Sequence, residues 1–183
     1  AMTRSAPALS PLRLAAGLAL TLMLSAPPAQ SGTVTERLRS QKTLKVCIWP
    51  DYYGITWRNP RTQTLTGVDI DLSEALAADL GVRLEHVDSS FPRLIDDLLA
   101  ERCDIAMHAV AVLPARADKL RFSQPYLQSD IYGITTRFNR AIRSWDDIDQ
   151  PGVQVGVQAG TFMEPVMSGA LKRAKLVVVK PPA

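Results

Sequence analysis

Three apolar runs, separated by two amphipathic stretches, fill the middle of this chain and leave few folds open to it. Leu44-Lys45-Val46-Cys47 reads as a first strand, Arg83-Leu84-Glu85-His86-Val87 alternates as a second, and the run from Asp104 through Met107, His108 and Ala109 to Val112 reads as a third, buried on both faces. Between the first two, Leu72, Leu76 and Leu80 recur at four-residue spacing, with Asp69 or Asp71 as the cap and Gly81 as the stop. Ser89-Ser90 opens the next helix, whose Phe91, Leu94, Ile95, Leu98 and Leu99 share one face. This βαβαβ order predicts an α/β fold built on a parallel sheet with right-handed crossovers. Ligands of such sheets gather beyond the carboxyl ends of the strands.

Arg116 follows the third strand in Leu113-Pro114-Ala115-Arg116, ahead of Phe122-Ser123-Gln124-Pro125-Tyr126. It stands where a small anion would bind, and a guanidinium grips a carboxylate with two parallel hydrogen bonds. The competing reading is a surface arginine paired with Asp118. The aromatic loop Trp49 to Trp57, with Tyr52 and Tyr53, serves equally for stacking on a ligand or for packing at an edge.

Beyond Tyr126 the pattern changes. Ile131 to Thr136 is an extended run, Ser144 to Asp149 a short capped helix, and Gly152 to Val157 a second buried strand feeding Gln158-Ala159-Gly160-Thr161 and a helix from Phe162. Lys175 to Val179 is a last strand. A two-stranded sheet seldom stands alone, so this second region is expected to be incomplete.

Residues 1–31 have the pattern of a secretory signal: Arg4 and Arg13, a short apolar core from Leu14 to Leu24, and small residues Ala29 and Ser31 at the cleavage positions. The core is too short to span a bilayer, which takes about 20 apolar residues. Losing the two arginines lowers the formal charge from +3 to +1, which argues against a nucleic-acid partner. In an exported chain, Cys47 and Cys103 are either a disulfide joining neighbouring strands or two buried thiols.

These residues together resemble the periplasmic solute-binding proteins of family 3, the receptors of polar amino-acid ABC importers. The carriers are Gly67 to Leu72, the run from Leu94-Ile95 to Arg102-Cys103-Asp104-Ile105, Pro114-Ala115-Arg116, Phe122 to Tyr126, and Val157 to Thr161. The resemblance implies the type 2 periplasmic binding-protein architecture: two α/β lobes with parallel sheets flanked by helices, closing on a ligand by a hinge. Lobe 1 with the first crossing strand would be residues 32–137, and a partial lobe 2 residues 138–183. Arg116 would hold the ligand carboxylate, and the backbone at Ala109 and Ala111 would meet its α-amino and carboxylate groups. Gln158, Gly160, Thr161 and the amide of Phe162 would close from the second lobe, with Trp49, Tyr52 or Tyr53 lining the side-chain pocket. The implied protein is a periplasmic monomer that delivers a small carboxylate-bearing, amino-acid-like solute to a membrane permease, without a cofactor.

Departures from the family are the missing threonines at Ala111 and Leu113, and the missing late acid and return crossing of the second lobe. A fragment or shortened product is therefore expected. The chain also resembles the periplasmic cyclohexadienyl dehydratases, through Arg58-Asn59-Pro60, Gly67 to Leu72, Asp104 to Met107 and Asp147 to Val153. That family's acid follows its glycine-threonine pair by two residues; Glu164 follows Thr161 by three, about 100° further round a helix. A capping box, with Thr161 as cap, is the preferred reading of Glu164. A sensing or accessory module of the same fold is a third possibility. His86 and His108 lack metal-ligand spacing, and His108 reads as a satisfied core residue.

Overall fold

The computed structural model describes residues 33–180. The signal-peptide reading of 1–31 lies outside them. In chain order the elements are α1 (Thr33–Gln41), β1 (Thr43–Ile48), β2 (Asp51–Tyr52), β3 (Thr56–Arg58), β4 (Leu65–Thr66), α2 (Val68–Leu80), β5 (Arg83–Asp88), α3 (Leu94–Leu99), β6 (Ile105–Ala106) and α4 (Pro114–Ala117). A 3-10 turn (Trp145–Asp147), β7 (Gln154–Gln158), α5 (Met163–Ala170) and β8 (Lys175–Val179) complete the chain.

β1 is the middle strand of a parallel sheet in the order β5-β1-β6. Apolar residues on both of its faces require cover from both sides: Val46, Cys47 and Ile48 have no exposed surface. Leu44, Val46 and Ile48 pack with Ile70 and Ala77 of α2. The stripe of α2 that faces this core is Ile70, Ser73 and Ala77, with Leu76 at its edge. Leu72 and Leu80 are 40% and 49% exposed, contrary to the leucine spacing. Polar side chains take the inner face because they are bonded there, Ser73 Oγ to the Ile70 carbonyl and to His86 Nε2. Nor does an aspartate cap the helix. The N-cap is Gly67, at φ +134, where a Cβ would stand 2.3 Å from the Ile55 carbonyl oxygen. The stop at Gly81 holds, in the left-handed conformation.

Three further expectations change. The segment expected as an aromatic loop folds, with the residues after it, into a small antiparallel sheet, β2-β3-β4, pairing Tyr52 with Thr56 and Trp57 with Thr66. The third strand of the parallel sheet is only Ile105–Ala106, paired with Val46 and Cys47. It ends early because Ala109 turns to φ +50 and donates its amide to the Asp69 carboxylate rather than to a strand. The run Ile131 to Thr136 has no regular structure, with Ile134 97% exposed.

β7 and β8 form a separate two-stranded parallel sheet, pairing Val155 with Leu176 and Val157 with Val178. Asp149 ties the turn into β8 by accepting the amides of Lys172, Arg173 and Ala174. The short capped helix expected over Ser144 to Asp149 is a 3-10 turn, Trp145–Asp147, closed by a capping box of Ser144 with Asp147. The cysteines are bonded, Cys47 to Cys103 with Cα atoms 5.5 Å apart, which settles that open alternative.

The bridge closes a loop of 56 residues, and in the chain-entropy account that contributes about 4 kcal/mol. Reduction is expected to lower the thermal midpoint by about 10 °C. Melts with and without a thiol reductant measure this, and a shift below about 2 °C contradicts it.

Candidate functional site

The site grows from the carboxyl end of β1. The Cys47 carbonyl accepts the Met107 amide at 2.9 Å and lies 3.3 Å from His108 Nδ1. A carbonyl only accepts, so the hydrogen of the imidazole is assigned to Nδ1. Nε2 then carries the lone pair, and it is buried with no hydrogen-bond partner among the described residues. Burial, with the positive charge of Arg116 as a lesser cause, pushes the His108 pKa down to about 4, so the ring is neutral at ordinary pH.

Phe91 is the centre of an aromatic cluster. Its ring centroid lies 5.0 Å from His108, 5.5 Å from Trp49 and 6.0 Å from Tyr52, and Trp49 and Tyr52 touch each other at 5.3 Å. Arg116 sits over the same ring at 5.9 Å. Tyr53 is not brought here; it is 80% exposed and packs on Trp57.

Arg116 is 4% exposed on α4, the short helix beyond the β6 segment. Its Nη1 donates to the Ala111 carbonyl at 2.8 Å and its Nη2 to the Gly160 carbonyl at 2.6 Å. None of the ion pairs among the described residues includes it, Asp118 included. Desolvation lowers its pKa.

Gly160 belongs to the loop between β7 and α5, and it brings the second sheet against the first. At φ +74, a Cβ there would stand 2.8 Å from the Pro92 nitrogen and 3.0 Å from the Phe91 carbonyl carbon, so only glycine fits. Glu164 Oε2 accepts the Gly160 amide at 2.7 Å. Thr161 Oγ1 donates to the Gln158 carbonyl rather than to the helix end. The expected capping box is therefore half present: the glutamate reaches back one residue past Thr161, to the Gly160 amide, and the threonine does not cap. Gln158 Nε2 is buried with no partner among the described residues.

Asp69, fully buried, braces the loop that carries Ala109 and Ala111. One carboxylate oxygen accepts the Ala109 amide at 2.6 Å, and the other accepts the Tyr126 hydroxyl at 2.7 Å. Burial first, then that hydrogen bond and the carboxylate charge, raises the Tyr126 pKa. The Ala109 amide and the Ala111 carbonyl, expected at the ligand, are thus both bonded within the protein. Of the expected residues, Arg116, Trp49, Tyr52, Ala111 and Gly160 are joined directly or through Phe91. Phe91, Asp69, His108 and Tyr126 also belong to it, although the sequence offered them only as a helix-face residue, a cap, a satisfied core residue and part of a motif; His108 is buried as expected, but its Nε2 is not satisfied. A separate apolar cavity of about 340 Å³, lined by residues that include Ile131, Trp145, Ile148, Val166 and Met167, shares no lining residue with this cluster.

The sequence profile of the bacterial extracellular solute-binding proteins, family 3, matches residues 44–170, and the chain belongs to that family. It is 31% identical to a cyclohexadienyl dehydratase of Pseudomonas aeruginosa over 160 residues, covering 87% of this chain and 59% of that protein. It is 29% identical to a probable histidine-binding protein of Campylobacter jejuni, covering 73% of this chain and 50% of the other. Among solved structures it resembles the ancestral amino acid-binding protein AncCDT-1, a precursor of cyclohexadienyl dehydratase, with a TM-score of 0.72 at 31% identity, over 81% of this chain and 65% of that one. The fold is the type 2 periplasmic binding-protein fold. The chain spans half to two thirds of the length of these relatives.

Because His108 is held neutral, the native state takes up its proton only near pH 4, whereas the unfolded chain does so near 6.5. Stability from this group is complete above pH 6.5 and is lost as the pH falls toward 4, by on the order of 3 kcal/mol. His86, lowered chiefly by burial, works in the same direction. Denaturant unfolding at a series of pH values should therefore show a shallower acid decline for His108→Gln than for the native chain. Parallel profiles for the two proteins contradict the assignment.

Proposed function

We propose that this protein captures a small carboxylate-bearing, amino-acid-like solute in the periplasm and delivers it unchanged to the membrane permease of an ABC importer. The observation that carries the reading is Arg116. A buried cation is costly without an anion, and the ion pairs of the described residues leave this one without a carboxylate. A solute carboxylate supplies that anion in the geometry a guanidinium favours. In this reading residues 32–137 and 138–183 are two lobes, and Gly160, Thr161 and Phe162 face the solute from the second, with Trp49, Tyr52 and Phe91 around its side chain. Export by residues 1–31 accords with the family, and the protein acts as a monomer.

A second reading is favoured by one relative: the dehydratase, 31% identical. In it the chain would turn over prephenate or arogenate, with Glu164 as the acid. Against it stands the Glu164 carboxylate itself, which accepts the Gly160 amide and has a structural task. Formation of an aromatic product from prephenate, abolished by Glu164→Gln in a variant that melts normally, would establish the enzyme reading over the first.

Thermal unfolding of the chain against a panel of amino acids and other small carboxylates tests capture. A ligand at 100 times its dissociation constant adds about 2.7 kcal/mol, or about 5–10 °C for a domain of this size. Arg116→Lys replaces a fork by a point charge and is expected to weaken the best ligand about tenfold or more. Unchanged affinity removes Arg116 from the site.

A further inference from the structure

Two motifs of the sequence, Gly67 to Leu72 and Phe122 to Tyr126, have no task in the proposed capture, yet the fold brings them to one carboxylate. Asp69 has no exposed surface and joins none of the ion pairs of the described residues. It lies in the first turn of α2, where the helix end favours an acid, and two donors meet it. The Ala109 amide bonds one oxygen at 2.6 Å and the Tyr126 hydroxyl the other at 2.7 Å. Hydrogen bonds to a carboxylate are stronger than those between neutral groups, so both donors are firmly held.

The chain between those two donors is the part that carries Arg116. From Ala109 to Tyr126 it contains one turn of helix, α4, and no strand. Among the described residues, the backbone of 108–112 enters hydrogen bonds at Ala109, with Asp69, and at Ala111, with Arg116. Beyond Leu120 there is no regular structure as far as Tyr126, whose hydroxyl is the tie to α2. A strap with so few bonds along its length keeps its shape through its ends, and one side chain holds both. Ala109 stands at φ +50, a conformation that costs an alanine energy, and the bond to Asp69 offsets that cost.

We propose that Asp69 and Tyr126 are positioning residues for Arg116: the carboxylate buckles both ends of the 109–126 strap and so sets where the guanidinium stands. Neither needs to touch a solute. The hydroxyl also fixes the plane of the carboxylate, so its loss loosens the Ala109 end as well as its own. Burial first, and then Asp69, raises the Tyr126 pKa, so the hydroxyl remains a donor where an ordinary phenol begins to ionise. The consequence for affinity rests on the reading of Arg116 as the carboxylate holder; the strap itself does not.

Tyr126→Phe removes the hydroxyl and keeps the ring, and phenylglyoxal, which reacts with accessible guanidinium groups, reports on Arg116 in the whole chain. Native Arg116, 4% exposed, reacts only when the strap opens. Its labelling, read by mass spectrometry against the exposed Arg140, is expected to rise about tenfold or more in the variant, the local opening that loss of one bond to a charged group allows. Amide protection across β1 and β5 should stay as in the native chain. An unchanged ratio of Arg116 to Arg140 labelling overturns the proposal. So does a loss of protection across β1 and β5, which would make Tyr126 a support of the whole sheet. Should Tyr126→Phe not fold, hydrogen exchange in the native chain decides. The Ala109 amide and the Arg116 Nε hydrogen opening together, ahead of β1, support the strap, and independent opening overturns it. No solute enters either measurement, so the strap can stand if capture fails, and capture can stand if the strap fails.

Discussion

The backbone carbonyl and the sulfur of Cys47 between them hold the first sheet to the site. Its carbonyl accepts the Met107 amide and faces the His108 ring, while its sulfur is bonded to Cys103 at the start of the same neighbouring segment. One residue on the largely buried central strand thus helps to fix how β6 lies, and where the chain leaves the sheet. Everything that follows in sequence, from the turn at Ala109 to the helix with Arg116, is placed by that departure. Asp69 supplies the second fixed point. It takes up the amide that the turn at Ala109 would otherwise leave bare and ties Tyr126, further along the chain, to the start of α2.

The meeting of the two parallel sheets is made by backbone rather than by side chains. Gly160 comes close enough to Phe91 and Pro92 to exclude a methyl group, and its carbonyl is held by Arg116. Glu164 secures the amide of the same glycine. The loop is therefore fixed through both the amide and the carbonyl of one glycine. α/β folds put ligands where strand ends face each other, and here that position is marked by a buried cation on an aromatic floor.

The succession of strands and helices and the position of the arginine were legible in the sequence because their signals are local. A β-branched or apolar run reports burial directly, and Pro114-Ala115-Arg116 after such a run puts a cation at a strand end. Cys47 and Cys103 flanked strands that could be neighbours, which was enough to raise the bridge and not enough to decide it. What the sequence hid was every residue whose role depends on a distant partner. Asp69 at the start of a helix looks like a cap, and only the fold reveals that it faces the Ala109 amide. Leu72 and Leu80 have ideal spacing and face outward, because Ser73 found a bonded partner in His86 and the inner face went to smaller residues. Phe91 sat on an apparent helical stripe with Leu94 and Leu98, although α3 begins only at Leu94 and Phe91 belongs to the turn before it. Strands of two or three residues such as β2, β3 and β4 are too short for alternation to announce them.

The hydrogen bonds of Arg116 can be weighed by counting donors. A guanidinium has more N–H groups than the two carbonyls of Ala111 and Gly160 consume. It can therefore clasp the two parts of the molecule and still offer hydrogens to an incoming anion, without surrendering either bond. A lysine ammonium in its place carries three N–H groups on one atom, enough for both carbonyls and one bond more, but without the fork that grips both oxygens of a carboxylate. On the proposed reading, joining the two sheets and gripping a solute carboxylate are then not rival duties of this side chain, and the arginine would act as a rivet whose head is also the sensor.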